Sequence, residues 1–321
     1  MNRHIDEATT TGVTFASFPE RALEQISNES IVVFGVPANS TLPRQAGCAN
    51  GPRAIRQSTM SALSCYFNSP SKTVVSLETG KATSFRSDAV GIDLGDLSDC
   101  NELSTEALQR IAHLTNAVVD EGGLPVLLGG DGRALQGLIE GLKSSVAPFG
   151  LLVISNRLDL PSVSDLPGVA VSALLPADSS SENCSLLVLG VNGVQPYSNM
   201  KSMHHLHGKV VSADEIHEQG TQVALDAIQQ FAIQNDRIVC VIDAEVLDTG
   251  HAAGTPGLNV GGLTPLQLIE ILSESNLSPQ LSGICVSNVA PSLDARGHSQ
   301  YAAAEALLAV LGERLFKEVP L

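Results

Sequence analysis

Three short polar clusters carry most of the chemistry this chain could perform, and each comes directly after an apolar run. They are Gly129-Gly130-Asp131-Gly132, then Ser155-Asn156-Arg157-Leu158-Asp159, then Asp243-Ala244-Glu245 running on to Asp248. In an open parallel sheet, side chains just beyond the carboxyl ends of the strands gather in one crevice. Asp159, Asp243 and Glu245 are therefore expected to converge. Carboxylates brought together without a cation repel each other and hold their protons more tightly. Arg157 is the natural counter-charge, because a guanidinium stays charged and cannot itself ligate a metal. Ser155 and Asn156 can fill the remaining hydrogen bonds.

Other candidates are weaker. Gly129-Gly130 hints at a phosphate cradle, but Gly-Gly-Asp-Gly lacks the Lys-Ser/Thr of a P-loop. No Gly-x-Ser-x-Gly elbow supports nucleophilic catalysis. His251 lies three residues after Asp248 and could supply a ligand or base, although a lone loop histidine is more often a solvated surface residue. His204, His205 and His207 make a histidine-rich tract, expected in a loop between two strands and suited to adventitious surface binding.

The elements that must position these clusters are legible as alternating patterns. Apolar runs over 31–36, 90–94, 124–128, 149–154, 185–190, 237–242 and 281–286 read as strands buried on both faces, as in parallel sheets. Residues 103–121, 132–143, 220–234, 264–274 and 300–317 carry apolar side chains every three or four positions, as helices covering a sheet do. Thr264-Pro265 is a helix start. The βαβα order implies a doubly wound α/β domain with right-handed crossovers. Segments 66–73, 176–184 and 248–262 read as loops, the last long enough to imply a role.

Composition narrows the partners. The net charge of −16 and an aromatic content of 3%, with no Trp, oppose binding to nucleic acid or an anionic membrane. The six cysteines lack a CxxC pair and are expected as reduced core thiols. The polar start, with no apolar signal region and no long apolar run, predicts a cytoplasmic protein. Residues 1–28 are expected as a polar extension before one domain over 29–321.

The three clusters resemble the arginase, agmatinase and formiminoglutamase family, or ureohydrolases. That family has Gly-Gly-Asp-His after one strand, Asp-Ala-His-x-Asp after another, and Asp-x-Asp-x-x-Asp-Pro before a loop ending Gly-Gly-Leu-Thr. Here that loop ends at Gly261-Gly262-Leu263-Thr264. Phe34-Gly35-Val36-Pro37, Ala46-Gly47, Gly51-Pro52-Arg53-Ala54-Ile55-Arg56 and Asp93-Leu94-Gly95-Asp96 match as well. The likeness implies a single three-layer α/β/α domain on a mostly parallel, roughly eight-stranded sheet, the arginase/deacetylase fold. It also implies a homo-oligomer, a trimer by family habit.

Family members hold two Mn²⁺ ions whose bridging hydroxide attacks a guanidinium or amidine carbon. Matched residue by residue, the first metal-binding His falls at Gly132, the bridging Asp at Ser155 and the second His at Arg157. Asp159 and Asp243 are kept, and Glu245 takes the last acidic place. The proton-shuttling His falls near Pro167, before Val171-Ser172-Ala173-Leu174-Leu175, and the substrate-anchoring Glu at Asn288 in Asn288-Val289-Ala290-Pro291. The resemblance therefore implies the family fold without its manganese cofactor: a catalytically silent relative, similar in kind to the arginase-like proteins of trypanosomatids that lack metals. Its role would be binding, regulation or scaffolding, through a guanidino or amino-acid ligand or an enzyme partner of arginine or polyamine metabolism. The alternative is a divergent ureohydrolase acting on a guanidino or amidino compound, with one metal on Asp159, Asp243, Glu245 and water.

Overall fold

The computed structural model describes residues 8–9, 12–20, 26, 30–39, 47–77, 80–86, 91–143, 148–158, 186–205 and 208–320. Pro167 and Asp159 lie outside the described residues, as do Cys184 and His207.

Ala8–Thr9 (β1) leads to Ile31–Val36 (β2), a run buried at every position, and then to helices Gly51–Ala62 (α1) and Ser64–Asn68 (α2). Thr73–Val75 (β3), Ala82–Phe85 (β4) and Gly91–Leu97 (β5) come next. Helix Thr105–Asp120 (α3) is capped by the Ser104 hydroxyl, which accepts from the Ala107 N–H. After it stand Leu124–Gly129 (β6), Leu135–Lys143 (α4), Gly150–Ile154 (β7), Leu186–Val191 (β8) and Tyr197–His205 (α5). Lys209–Ser212 (β9), Ala213–Gln219 (α6), Gln222–Gln234 (α7) and Ile238–Asp243 (β10) precede Pro265–Glu274 (α8). Leu281–Ser287 (β11), His298–Leu311 (α9) and Phe316–Val319 (β12) complete the described chain.

The main sheet runs β1-β5-β2-β6-β11-β10-β7-β8-β9. Its pairs are parallel except at the edge, where β1 lies antiparallel on β5. Eight parallel strands thus match the expected fold, with a short ninth added. Alternation along each strand divides the core. Ile31 and Val33 face one layer with Ile55, Ile228, Leu268 and Leu307, and Val32 and Phe34 face the other with Ile111, Leu138 and Met203. This is the three-layer α/β/α arrangement. Chain order reverses between β6 and β7, with β11 and β10 inserted between them, so the four strand ends meet at the switch point.

Some elements differ from the sequence expectation. Residues 312–317 read as the tail of a helix, yet the helix ends at Leu311, Gly312 adopts φ 41°, and Phe316–Val319 pairs with β4. It closes a separate antiparallel sheet, β12-β4-β3. His204 sits at the end of α5 rather than in a loop. Cys65 is exposed, whereas Cys48, Cys100, Cys240 and Cys285 are buried. Phe15 and Phe18 join the core, ring centroids 5.6 Å apart, and the Phe15 N–H donates to Asp93 Oδ2 at 2.8 Å. Among the described residues, no helix is long and apolar enough to cross a membrane.

Candidate functional site

Residues just past the ends of four strands line the cleft at the switch point. After β6, the Gly132 N–H donates to Asn288 Oδ1 at 3.1 Å. Past β7, the Ser155 hydroxyl donates to Asp243 Oδ2 at 2.9 Å, and Arg157 Nη2 donates to Glu245 Oε2. At the end of β10, Asp243 Oδ1 accepts from the Glu245 N–H at 3.0 Å and from Asn288 Nδ2 at 2.9 Å. Asn288, just beyond β11, has φ 61° and fixes its own N–H to the Gly130 carbonyl at 2.9 Å. One amide thereby ties two strand ends to the central carboxylate.

Glu245 is fully buried, and its carboxylate is satisfied on both oxygens. Oε2 takes the Arg157 guanidinium, and Oε1 accepts the Gly257 N–H at 2.9 Å. Glycine is required at 257 by proximity: a Cβ there would lie 2.9 Å from the Glu245 carboxyl carbon. Asn259 Nδ2 donates to the Glu245 and Val246 carbonyls at 2.9 and 3.0 Å, holding this loop onto the turn after β10.

The loop 248–262 is ordered by its own hydrogen bonds. Asp248 Oδ1 accepts from the Gly250 N–H and Oδ2 from the Gly261 N–H, both at 2.7 Å. The Gly261 amide foremost holds its carboxyl below the usual range. Asp248 therefore closes the loop, while His251, about half exposed, lies 3.6 Å from Asp248 Oδ1.

Of the residues singled out by sequence, the fold brings Gly132, Ser155, Arg157, Asp243, Glu245 and Asn288 together. Asn156 makes no side-chain bond in this group; its carbonyl instead accepts from the Asn192 N–H and Gln195 Nε2. Sequence reasoning missed Gly257 and Asn259. The Gly-rich composition of the loop was the available signal, but nothing in it points to Glu245.

Burial raises the Asp243 carboxyl pKa, opposed by the Asn288 amide, Arg157 and Ser155, with Asp131 adding to the rise. Burial, then Asp131 and Asp243, push the Cys48 thiol up to about 12, so it is no nucleophile at neutral pH. The Asp243 shift carries a sign. Between the unfolded pKa and the higher folded one, the native state binds more protons, so stability falls as pH rises through that window. Asp243→Asn is expected to flatten this part of the stability curve, measured by urea denaturation from mildly acidic to neutral pH. An unchanged slope would show that Asp243 is not the group responsible.

A pair of divalent ions needs several unprotonated imidazole and carboxylate donors. Gly132 offers no side chain, Ser155 a neutral hydroxyl and Arg157 a fixed positive charge. Each oxygen of Asp243 and Glu245 already accepts a hydrogen bond from the chain. These side chains do not fit two manganese ions.

The chain belongs to the arginase family, whose model matches residues 29–312. It is 25% identical over 288 residues to a formimidoylglutamase of Bacillus subtilis (strain 168), covering 87% of this chain and 85% of the relative. It is likewise 25% identical over 286 residues to the mitochondrial guanidino acid hydrolase of Homo sapiens, covering 86% and 76%. The crystal structure of formimidoylglutamase from Bacillus subtilis subsp. subtilis str. 168 superposes with a TM-score of 0.75 at 21% identity, covering 97% of this chain and 95% of that one. The fold is the ureohydrolase fold.

Proposed function

We propose that this arginase-family protein does not perform manganese-dependent hydrolysis and serves as a binding, regulatory or scaffolding protein, assembled as a homotrimer. The observation that carries this reading is the Arg157 guanidinium on the buried Glu245 carboxylate, at a position where the family resemblance puts a metal-binding His. A guanidinium cannot donate an electron pair to a cation, and its charge opposes a divalent ion beside it.

A second reading is favoured by the hydrolase names of the relatives. It is a divergent ureohydrolase that acts on a guanidino or amidino compound, with one metal on Asp159, Asp243 and Glu245. The two separate in one experiment. Purified protein is incubated with Mn²⁺, its bound metal is measured, and product release is followed from arginine, agmatine and formimidoylglutamate. The first reading expects far less than one equivalent of metal and no turnover above background. Stoichiometric metal together with turnover would establish the second and end the first.

A further inference from the structure

The chain contains two Asn-Gly dipeptides, Asn50-Gly51 and Asn192-Gly193. In such a pair the backbone nitrogen of the glycine can attack the side-chain Cγ of the asparagine, because no Cβ on the second residue stands in the way. The fold treats the two differently. Asn50 stands at the start of α1 with φ −87° and ψ −3°, and the Gly51 N–H donates to the Cys48 carbonyl. Gly51 is buried, and a Cβ there would lie 2.8 Å from the Val289 carbonyl oxygen. Its nitrogen is engaged and its backbone is packed in place.

Asn192-Gly193 lies just past β8, on the rim of the cleft. Gly193 is exposed with φ 62°, and apart from its chain neighbours nothing comes within 4 Å of where a Cβ would stand, so water and hydroxide reach it. Its N–H donates to Asn192 Oδ1 at 2.6 Å, which sets the attacking nitrogen beside Cγ and polarises the carbonyl under attack. The Asn192 carbonyl belongs to the same peptide group as that nitrogen and accepts from Gln195 Nε2 at 2.7 Å. A donor there stabilises negative charge on the peptide group once the nitrogen has lost its proton. Asn192 Nδ2, the group that must leave, donates to Asn259 Oδ1 at 2.8 Å and to the Val260 carbonyl at 2.6 Å. These two bonds tie the rim to loop 248–262.

We infer that Asn192 is a modification site that deamidates spontaneously in the folded chain and thereby unlocks loop 248–262 from the rim of the cleft. Hydroxide removes the Gly193 N–H proton, and the nitrogen forms a bond to Asn192 Cγ. The Cγ–Nδ2 bond breaks, and ammonia leaves with a proton from water, which regenerates hydroxide. Water then opens the cyclic imide at either carbonyl, leaving aspartate or isoaspartate at 192. The product carries an acceptor where Nδ2 donated. Asn259 cannot turn its amide to compensate, because its own Nδ2 donates to the Glu245 and Val246 carbonyls at 2.9 and 3.0 Å. The new carboxylate therefore faces Asn259 Oδ1 and the Val260 carbonyl with no donor between them, which costs more than the lost bonds alone. The loop so released carries the Gly257 N–H that holds Glu245 Oε1. This step is the same whether or not the cleft takes a metal, so its test is separate from that of the proposed function.

The full native chain is incubated in mildly alkaline buffer, beside the same chain unfolded in concentrated urea. Peptide mapping by mass spectrometry follows the change from amide to acid at both asparagines. In the folded chain Asn192 is expected to deamidate at least about tenfold faster than Asn50, because a surface loop opens locally far more readily than a packed helix start. In urea the two rates should converge. Asn192→Asp supplies the product's charge in one step, and hydrogen exchange reads its effect. Backbone amides of loop 248–262 are expected to exchange about tenfold faster than in the native chain, while those of β6 and β11 keep their native rates. A folded-state rate at Asn192 no greater than at Asn50, or a tenfold ratio that persists in urea, would overturn the assignment of the site. Native exchange rates in the Asn192→Asp loop would overturn the unlocking.

Discussion

Arg56→Ala is expected to cost about 3–5 kcal/mol, a large share of the roughly 5–15 kcal/mol that holds a domain of ordinary stability folded. Arg56 is completely buried in α1 and reaches across to the end of β5. Its Nε and Nη2 donate to the two oxygens of Asp93 at 2.8 and 2.9 Å, Nη1 to Asp96 at 2.5 Å, and Nη2 also to the Gly95 carbonyl at 3.0 Å. Burial works against the charge, but Asp93 and Asp96 outweigh it and raise the Arg56 pKa above its ordinary value. Asp93 also accepts the N–H groups of Phe15 and Gly95, so it anchors the segment before β2 as well. Truncating the arginine leaves Asp93 charged and buried with no cation, which costs far more than the pair contributes relative to apolar residues. Urea denaturation checks this, and a midpoint within experimental error of the native one would remove Arg56 from the framework.

The second large effect concerns metal affinity. Gly132→His, Ser155→Asp and Arg157→His together should raise Mn²⁺ affinity by about 10³-fold or more, given that even an outer-shell partner is worth about 10- to 100-fold. Geometry adds a condition that the resemblance does not supply. A Cβ at Gly132 would lie 3.3 Å from Asn288 Nδ2, and that same amide donates to Asp243 Oδ1. An imidazole at 132 therefore meets Asn288 at once, and Asp243 must release it to ligate a metal. Adding Asn288→Gly frees the space, and glycine accepts the φ of 61° found there. The quadruple variant is expected to bind Mn²⁺ at least about tenfold more tightly than the triple, and calorimetric titration reads the difference. Metal binding should return before turnover. If neither variant binds at millimolar Mn²⁺, the placement of these strand ends on the family's metal positions is wrong.

The parallel sheet was legible because its strands are continuous apolar runs: those read over 31–36, 124–128 and 281–286 appear as Ile31–Val36, Leu124–Gly129 and Leu281–Ser287. Lys209–Ser212 was not, because an edge strand covered on one side carries too few apolar residues to stand out. Phe316–Val319 was also missed, since it pairs with Ala82–Phe85 across more than 200 residues, and Thr73–Val75 and Ala82–Phe85, though paired with each other locally, are too short to stand out. Helix α1 lay in a motif recognised for its residues and not for its period.

At the site, residue chemistry and strand-end position alone placed Ser155, Arg157, Asp243 and Glu245 in one crevice, because side-chain alternation and crossover handedness are local rules that a sequence carries in its own order. Which partner each group takes is another matter. Asn288 joins Gly132 and Asp243 across 156 and 45 residues, and Gly257 reaches Glu245 across a twelve-residue loop. Such contacts have no period to reveal them. They arise from how the layers pack and where the loops can return, so only the folded chain decides which amides close these acids and that Arg157, the counter-charge expected from sequence, pairs with Glu245.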